Sequence, residues 1–139
     1  KTILLILALL LCADLCNGFM DSIQFHWADS LPGRRNWPAQ WWNPAYSWKN
    51  KYAHDEQGKM IKPLRPAYWG STTFLSWTTD AWHFFKLMYR GLLRTVVVIL
   101  ASLAFRAAGV RMSFWIALIL WFGIAMWQAV GFHLTYSIL

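Results

Sequence analysis

Three long apolar runs, none interrupted by proline, restrict what this chain can fold into. Residues 3–27, 72–106 and 112–138 each exceed the roughly 20 residues that an α-helix needs to cross a bilayer. Hydrocarbon offers no partner to backbone amides and carbonyls, so a spanning run becomes a helix, which bonds them internally. We therefore expect an all-α membrane protein: a single membrane domain over 1–139 with three transmembrane helices. Helix 1 covers 3–27 and is signal-anchor-like. An interfacial loop follows over 28–71, then a long helix 2 over 72–106 and helix 3 over 112–138. Composition agrees, with 58% hydrophobic and only 14% charged residues, against about 25% charged in a soluble domain. Disorder, a coiled coil and an ordinary soluble enzyme are thereby excluded.

The first run has the basic start and apolar stretch of a secretory signal, Lys1 followed by Ile3 to Ala13. Its helical pattern continues past Gly18 through Phe19, Met20, Ile23 and Phe25, which favours a retained anchor over a cleaved leader. Cys12 and Cys16 lie within it, four residues apart, and read as packing groups.

Residues 28–71 are different material. They hold all five prolines, which prevents a long helix. They also hold Trp37, Trp41, Trp42, Trp48 and Trp69 among seven Lys/Arg and three Asp/Glu, a local charge of +4. Trp and Tyr beside basic residues is the composition of a membrane–water interface. We expect these five tryptophans to anchor a loop that lies on the headgroups. The chain's formal net charge of +7 then reads as attraction to anionic headgroups of the lipid bilayer, with no nucleic acid partner.

Ionisable residues inside apolar helices are costly and therefore informative. In helix 1, Asp14, Asn17, Asp21 and Gln24 recur at helical spacing. In helix 2, Thr73, Ser76, Asp80, His83, Arg90 and Arg94 form a second stripe. Polar stripes avoid lipid, so we expect them to meet inside a bundle. Aligning Ile3, Arg106 and Met112 at one side places Asp14 at ~16 Å depth and Arg94 at ~18 Å, Asp21 at ~27 Å and Arg90 at ~24 Å. The expectation is two buried ion pairs, Asp14–Arg94 and Asp21–Arg90, since guanidinium can bind carboxylate through two hydrogen bonds.

The same ruler brings three histidines into one layer: His26 at ~34 Å, His83 at ~34 Å and His133 at ~31 Å. Asp80 lies one turn before His83 on the same face. Imidazoles with a carboxylate suit a single transition metal, zinc or iron, which would activate water for hydrolysis near the headgroups. Haem held by His83 and His133 is a lesser alternative. The competing account is a hydrogen-bonded structural layer, because the sequence holds no HxxxH, HExxH or CxxC spacing. No Gly-rich phosphate loop or GxSxG elbow occurs either. Ser71-Thr72-Thr73 reads as the cap of helix 2. Gly123, Ala125, Ala129 and Gly131 would permit close packing of helix 3.

Asp21-Ser22-Ile23-Gln24-Phe25-His26, Ser47-Trp48-Lys49-Asn50-Lys51-Tyr52 and Ser71-Thr72-Thr73 with Asp80-Ala81-Trp82-His83 together resemble a group of small bacterial integral membrane proteins. The resemblance covers roughly residues 15–90 and implies no activity. It implies that Asp21, His26, Asp80 and His83 form one constellation beside the Trp-Lys-Asn-Lys-Tyr loop, and that the chain resides in a bacterial inner membrane. The signal-like start places the amino terminus inside, although the basic loop pulls the other way under the positive-inside rule.

Three functions follow in order of preference. The first is an accessory or scaffold subunit of a larger membrane assembly, with protein partners or as a homo-oligomer. The second is a metal-dependent membrane enzyme that acts on a lipid or headgroup-borne substrate through the Asp/His layer. The third is an oligomeric ion or proton path along the Asp/Arg stripe.

Overall fold

The computed structural model describes residues 1–138, with side chains through Gly131. Among these residues three helices are long and apolar enough to cross a membrane. They are α1 (Thr2–Phe25), α5 (Ala81–Ala107) and α6 (Phe114–Ile138). Between α1 and α5 lie three four-residue helices, α2 (Leu31–Arg34), α3 (Ala39–Trp42) and α4 (Pro44–Ser47), with short 3₁₀ turns. The chain divides into two compact units, Cys12–Arg90 and Lys1–Leu11 with Gly91–Leu139.

Proline and polar caps explain the broken loop. Ser30 caps α2: its hydroxyl accepts from the Gly33 amide at 3.2 Å and donates to the Trp27 carbonyl at 2.7 Å. Pro32 sits at the start of α2, where its missing N–H costs nothing. Asn43 repeats the device at α4, accepting from the Ala45 amide at 3.0 Å ahead of Pro44. Further on the chain doubles back, with single antiparallel bridges pairing Tyr52 with Pro66 and His54 with Met60. Its tip is closed by Asp55, whose carboxylate accepts from the amides of Gln57 and Lys59. Gly58, at φ +75°, supplies the left-handed residue of that turn.

The long second helix starts at Ala81, nine residues later than the periodicity suggests. The hydroxyls of Thr73, Thr78 and Thr79 bond the carbonyls of Gly70, Leu75 and Ser76 three residues back. Such local bonds compete with a regular helix. Ser71 is fully buried and donates to the Lys51 carbonyl at 2.8 Å, tying two loop segments together instead of capping a helix. The cap of α5 is Asp80.

Two packing arrangements hold the units. In Cys12–Arg90, the loop lays Trp42 against Phe19 of α1, ring centroids 6.0 Å apart, and Phe19 meets Phe85 of α5 at 4.6 Å. Trp37 and Trp41 pack on Trp42 at 4.5 and 4.8 Å. Trp48 and Trp69 also meet rings, those of Tyr52 at 6.2 Å and Phe74 at 4.8 Å, and Trp69 is the most exposed of the five at 80%. In the other unit, buried Arg94 donates through Nε to the Gln128 side-chain oxygen at 2.9 Å and lies 5.2 Å from the Trp121 ring centroid. The Trp121 indole donates to Thr95 at 3.2 Å.

Asn50 joins the loop to the approach of α5. Its amide donates to the Gln40 carbonyl at 2.7 Å and to the Thr79 carbonyl at 2.8 Å, 29 residues away. Asn50→Ala strands both acceptors in a half-buried setting. We expect a loss of about 1–2 kcal/mol, read as a lower unfolding midpoint with faster amide exchange around residues 79–83.

Candidate functional site

Asp80 sets the geometry. Its carboxylate is 1% exposed, and each oxygen is used. Oδ1 accepts from the His83 backbone amide at 2.9 Å, the N-cap bond that starts α5. Oδ2 lies 2.7 Å from His83 Nδ1 and 2.9 Å from the Thr79 hydroxyl. One residue thus begins the helix and fixes the imidazole one turn along it. With the acceptor-only carboxylate facing Nδ1, the neutral ring carries its proton there. Nε2 is left with its lone pair and makes no hydrogen bond among the described residues.

His83 opens onto a cleft of about 600 Å³. Phe25, Trp48 and Trp82 give it amphipathic walls, and Asp21 and Gln24 reach it from one face of α1. Ser47, at the end of α4, completes the wall and is fully buried. Among the described residues, its hydroxyl oxygen is the buried side-chain polar atom that lacks a hydrogen-bond partner. An orphaned buried hydroxyl is uncommon in a folded protein. Here it stands in the wall of the cleft that holds the His83–Asp80 pair.

The structure sorts the expected constellation. Asp21, Asp80 and His83 share the cleft. His26 is exposed, in the turn after α1, and does not line it. His133 lies outside the described residues. Among the described residues no three His, Cys, Asp or Glu side chains gather closely enough to hold a metal ion. Among the described residues the donor set of His26, His83 and Asp80 is not assembled, because His26 stands exposed in the turn after α1, away from the cleft that Asp80 and His83 line.

The ion-pair expectation meets a different geometry. The buried face of α1 is apolar, made of Ala13, Met20 and Ile23. Asp14 and Asp21 each follow one of the first two by a single residue, about 100° further around the helix, and both are exposed. Among the described residues Asp80 bonds the His83 ring, a contact that is ionic only when the imidazole is protonated. The partners of Arg94 include a neutral amide oxygen and an indole face.

Ser47 and Asn50 were not singled out by sequence reasoning. Both stand in the Ser47–Tyr52 motif, where a serine directly before a Trp-Lys pair is the one available signal. Asn50's role depends on two carbonyls far away in sequence and leaves no local trace.

The chain matches no family model, no curated protein and no solved structure.

Proposed function

We propose that the chain is an integral membrane protein with an acid–base site for a lipid or headgroup-borne substrate, in which His83 Nε2 is the proton acceptor and Asp80 orients it. The observation that carries this reading is the 2.7 Å Asp80–His83 bond at the edge of a cleft with an unpartnered buried hydroxyl. A carboxylate on Nδ1 holds the tautomer and stabilises the imidazolium that forms on proton uptake, which makes Nε2 a competent base. Water bound in the cleft would lose a proton to Nε2 as its oxygen attacks a substrate ester. The same proton then passes to the departing alcohol. Trp48, Trp82 and Phe25 suit the apolar part of such a substrate, and the Ser47 hydroxyl and Gln24 amide its polar part.

The test is turnover in vesicles of phosphatidylethanolamine and phosphatidylglycerol, with products read by mass spectrometry. The expected result is a new hydrolysis product with the native protein and its loss in His83→Gln. Lipids left unchanged by the native protein, or converted equally by the variant, contradict the reading.

An accessory role in a membrane assembly has its own support. Trp115, Ile119, Phe122, Met126 and Trp127 of α6 are all more than half exposed, and a Cβ at Gly123 would meet no atom within 4 Å. Such an apolar helix with small-residue gaps suits helix–helix association. Co-purification of a stoichiometric partner in mild detergent, lost on Gly123→Leu, would favour this role. A chain that runs alone in native electrophoresis would count against it.

A further inference from the structure

A second cleft, of about 640 Å³, opens within the loop and is walled differently. Its chemistry comes from Lys49, His54, Tyr46, Tyr52 and Gln40, and no Asp or Glu lines it. We propose that this cleft binds a phosphate group, independently of the His83 site.

Four observations carry the proposal. First, Lys49 forms no salt bridge with any described carboxylate. Its ammonium lies 5.9 Å from the centroid of the exposed Trp48 ring, leaving its donors for a ligand. Second, the nearby acids do not compete. Asp55 is committed to the amides of Gln57 and Lys59, and Glu56 is exposed at the turn. Third, the wall is braced. The Gln40 side chain donates to the Asn50 carbonyl oxygen of its amide, while Asn50 holds the Gln40 and Thr79 backbone carbonyls. Fourth, neighbouring Lys51, with its Nζ 5.4 Å from the Tyr52 ring centroid, adds positive potential beside the cleft.

An ammonium and two phenol hydroxyls are all donors suited to phosphate oxygens, and an imidazole N–H adds a third kind of donor. The cleft is a polar donor pocket without a carboxylate, the reverse of a cation site. A phosphate of this kind is presented either by a lipid headgroup or by a soluble anion. The loop's cationic and aromatic residues suit a lipid source, since such residues gather at membrane interfaces.

The experiment uses the full chain in dodecyl maltoside and measures binding of three probes: dioleoylphosphatidylglycerol, uncharged dioleoylglycerol and inorganic phosphate. Retained lipid is counted by native mass spectrometry, and phosphate is titrated by calorimetry. The expected result is preferential retention of phosphatidylglycerol over dioleoylglycerol, reduced about tenfold in Lys49→Gln. Tyr46→Phe should reduce it less, and Lys59→Gln, at the turn outside the cleft, should leave it unchanged. Phosphate binding that is lost in Lys49→Gln, without lipid preference, keeps the site and assigns it a soluble anion. Equal retention of both lipids with no phosphate binding overturns the proposal. So does binding that Lys49→Gln leaves intact. His83→Gln should not alter this binding, so failure of the acid–base reading and failure of this site are separable.

Discussion

His83→Gln should cost about 10²–10⁴-fold in turnover, the usual contribution of a positioned general base, while the protein stays folded. The reason for the separation lies in the two roles of Asp80. Its Oδ1 bonds the backbone amide of residue 83, which any side chain retains, so the cap of α5 survives the substitution. What is lost is the ring whose Nδ1 meets Oδ2 at 2.7 Å. Asp80→Asn makes a sharper comparison. The amide oxygen can still cap the helix, but an NH₂ group now faces Nδ1 and forces the proton to Nε2. Turnover should fall as far as in His83→Gln, with little change in the unfolding midpoint. Asp80→Ala removes the cap as well, and should add about 1 kcal/mol of destabilisation to the same loss of activity. Measuring turnover and midpoint on all three variants checks the assignment. Full activity in Asp80→Asn would remove Asp80 from the orienting role.

The largest effect on stability is expected at Gly33. A Cβ there would stand 1.9 Å from the Trp27 carbonyl oxygen and 2.9 Å from its carbon. Those are backbone atoms, so no rotamer change relieves the contact. The Trp27 carbonyl also accepts from the Ser30 hydroxyl and the Ser30 amide, so its displacement breaks the α2 cap. Gly33→Ala should destabilise by about 3 kcal/mol and lower the unfolding midpoint by about 10 °C. Gly18→Ala in α1 is the control. Nothing lies within 4 Å of its Cβ position, so helix propensity predicts a neutral to slightly stabilising change, at most about 1 kcal/mol. Thermal unfolding of both variants in detergent decides. A Gly33→Ala protein as stable as the native one would contradict the packing of the first loop turn.

What was legible in the sequence follows from the range of the forces involved. Apolar runs of 25 residues leave the backbone one solution, so α1, α5 and α6 could be placed from composition and length. The prolines announced the break in the helix, but not the short helices that Pro32 and Pro44 help to begin. The start of α5 could not be read from periodicity, because Ser and Thr at 71–79 fit a helical stripe equally well as local turn-formers. Asp80, a strong N-cap residue just before Ala81, was the better signal. The pairing of Asp80 with His83 was visible as a one-turn spacing. Its meaning was not: an intrahelical bond between the two leaves them satisfied by each other, whereas a metal layer would need His26 turned inward. Asp14 and Asp21 each directly follow a buried residue, Ala13 and Met20, a difference of azimuth that depth along the helix does not carry. Ser47 could be recognised only once the fold had brought it into the wall of the cleft that His83 also lines, which is a tertiary fact.

The most direct test of the acid–base site is the protonation pattern of the His83 ring, read by ¹⁵N NMR of histidine-labelled protein and assigned by comparison with His83→Gln. The account predicts a neutral ring protonated at Nδ1, with a bare Nε2, and a switch to the Nε2-protonated form in Asp80→Asn. A native ring that already carries its neutral-form proton on Nε2 would contradict it.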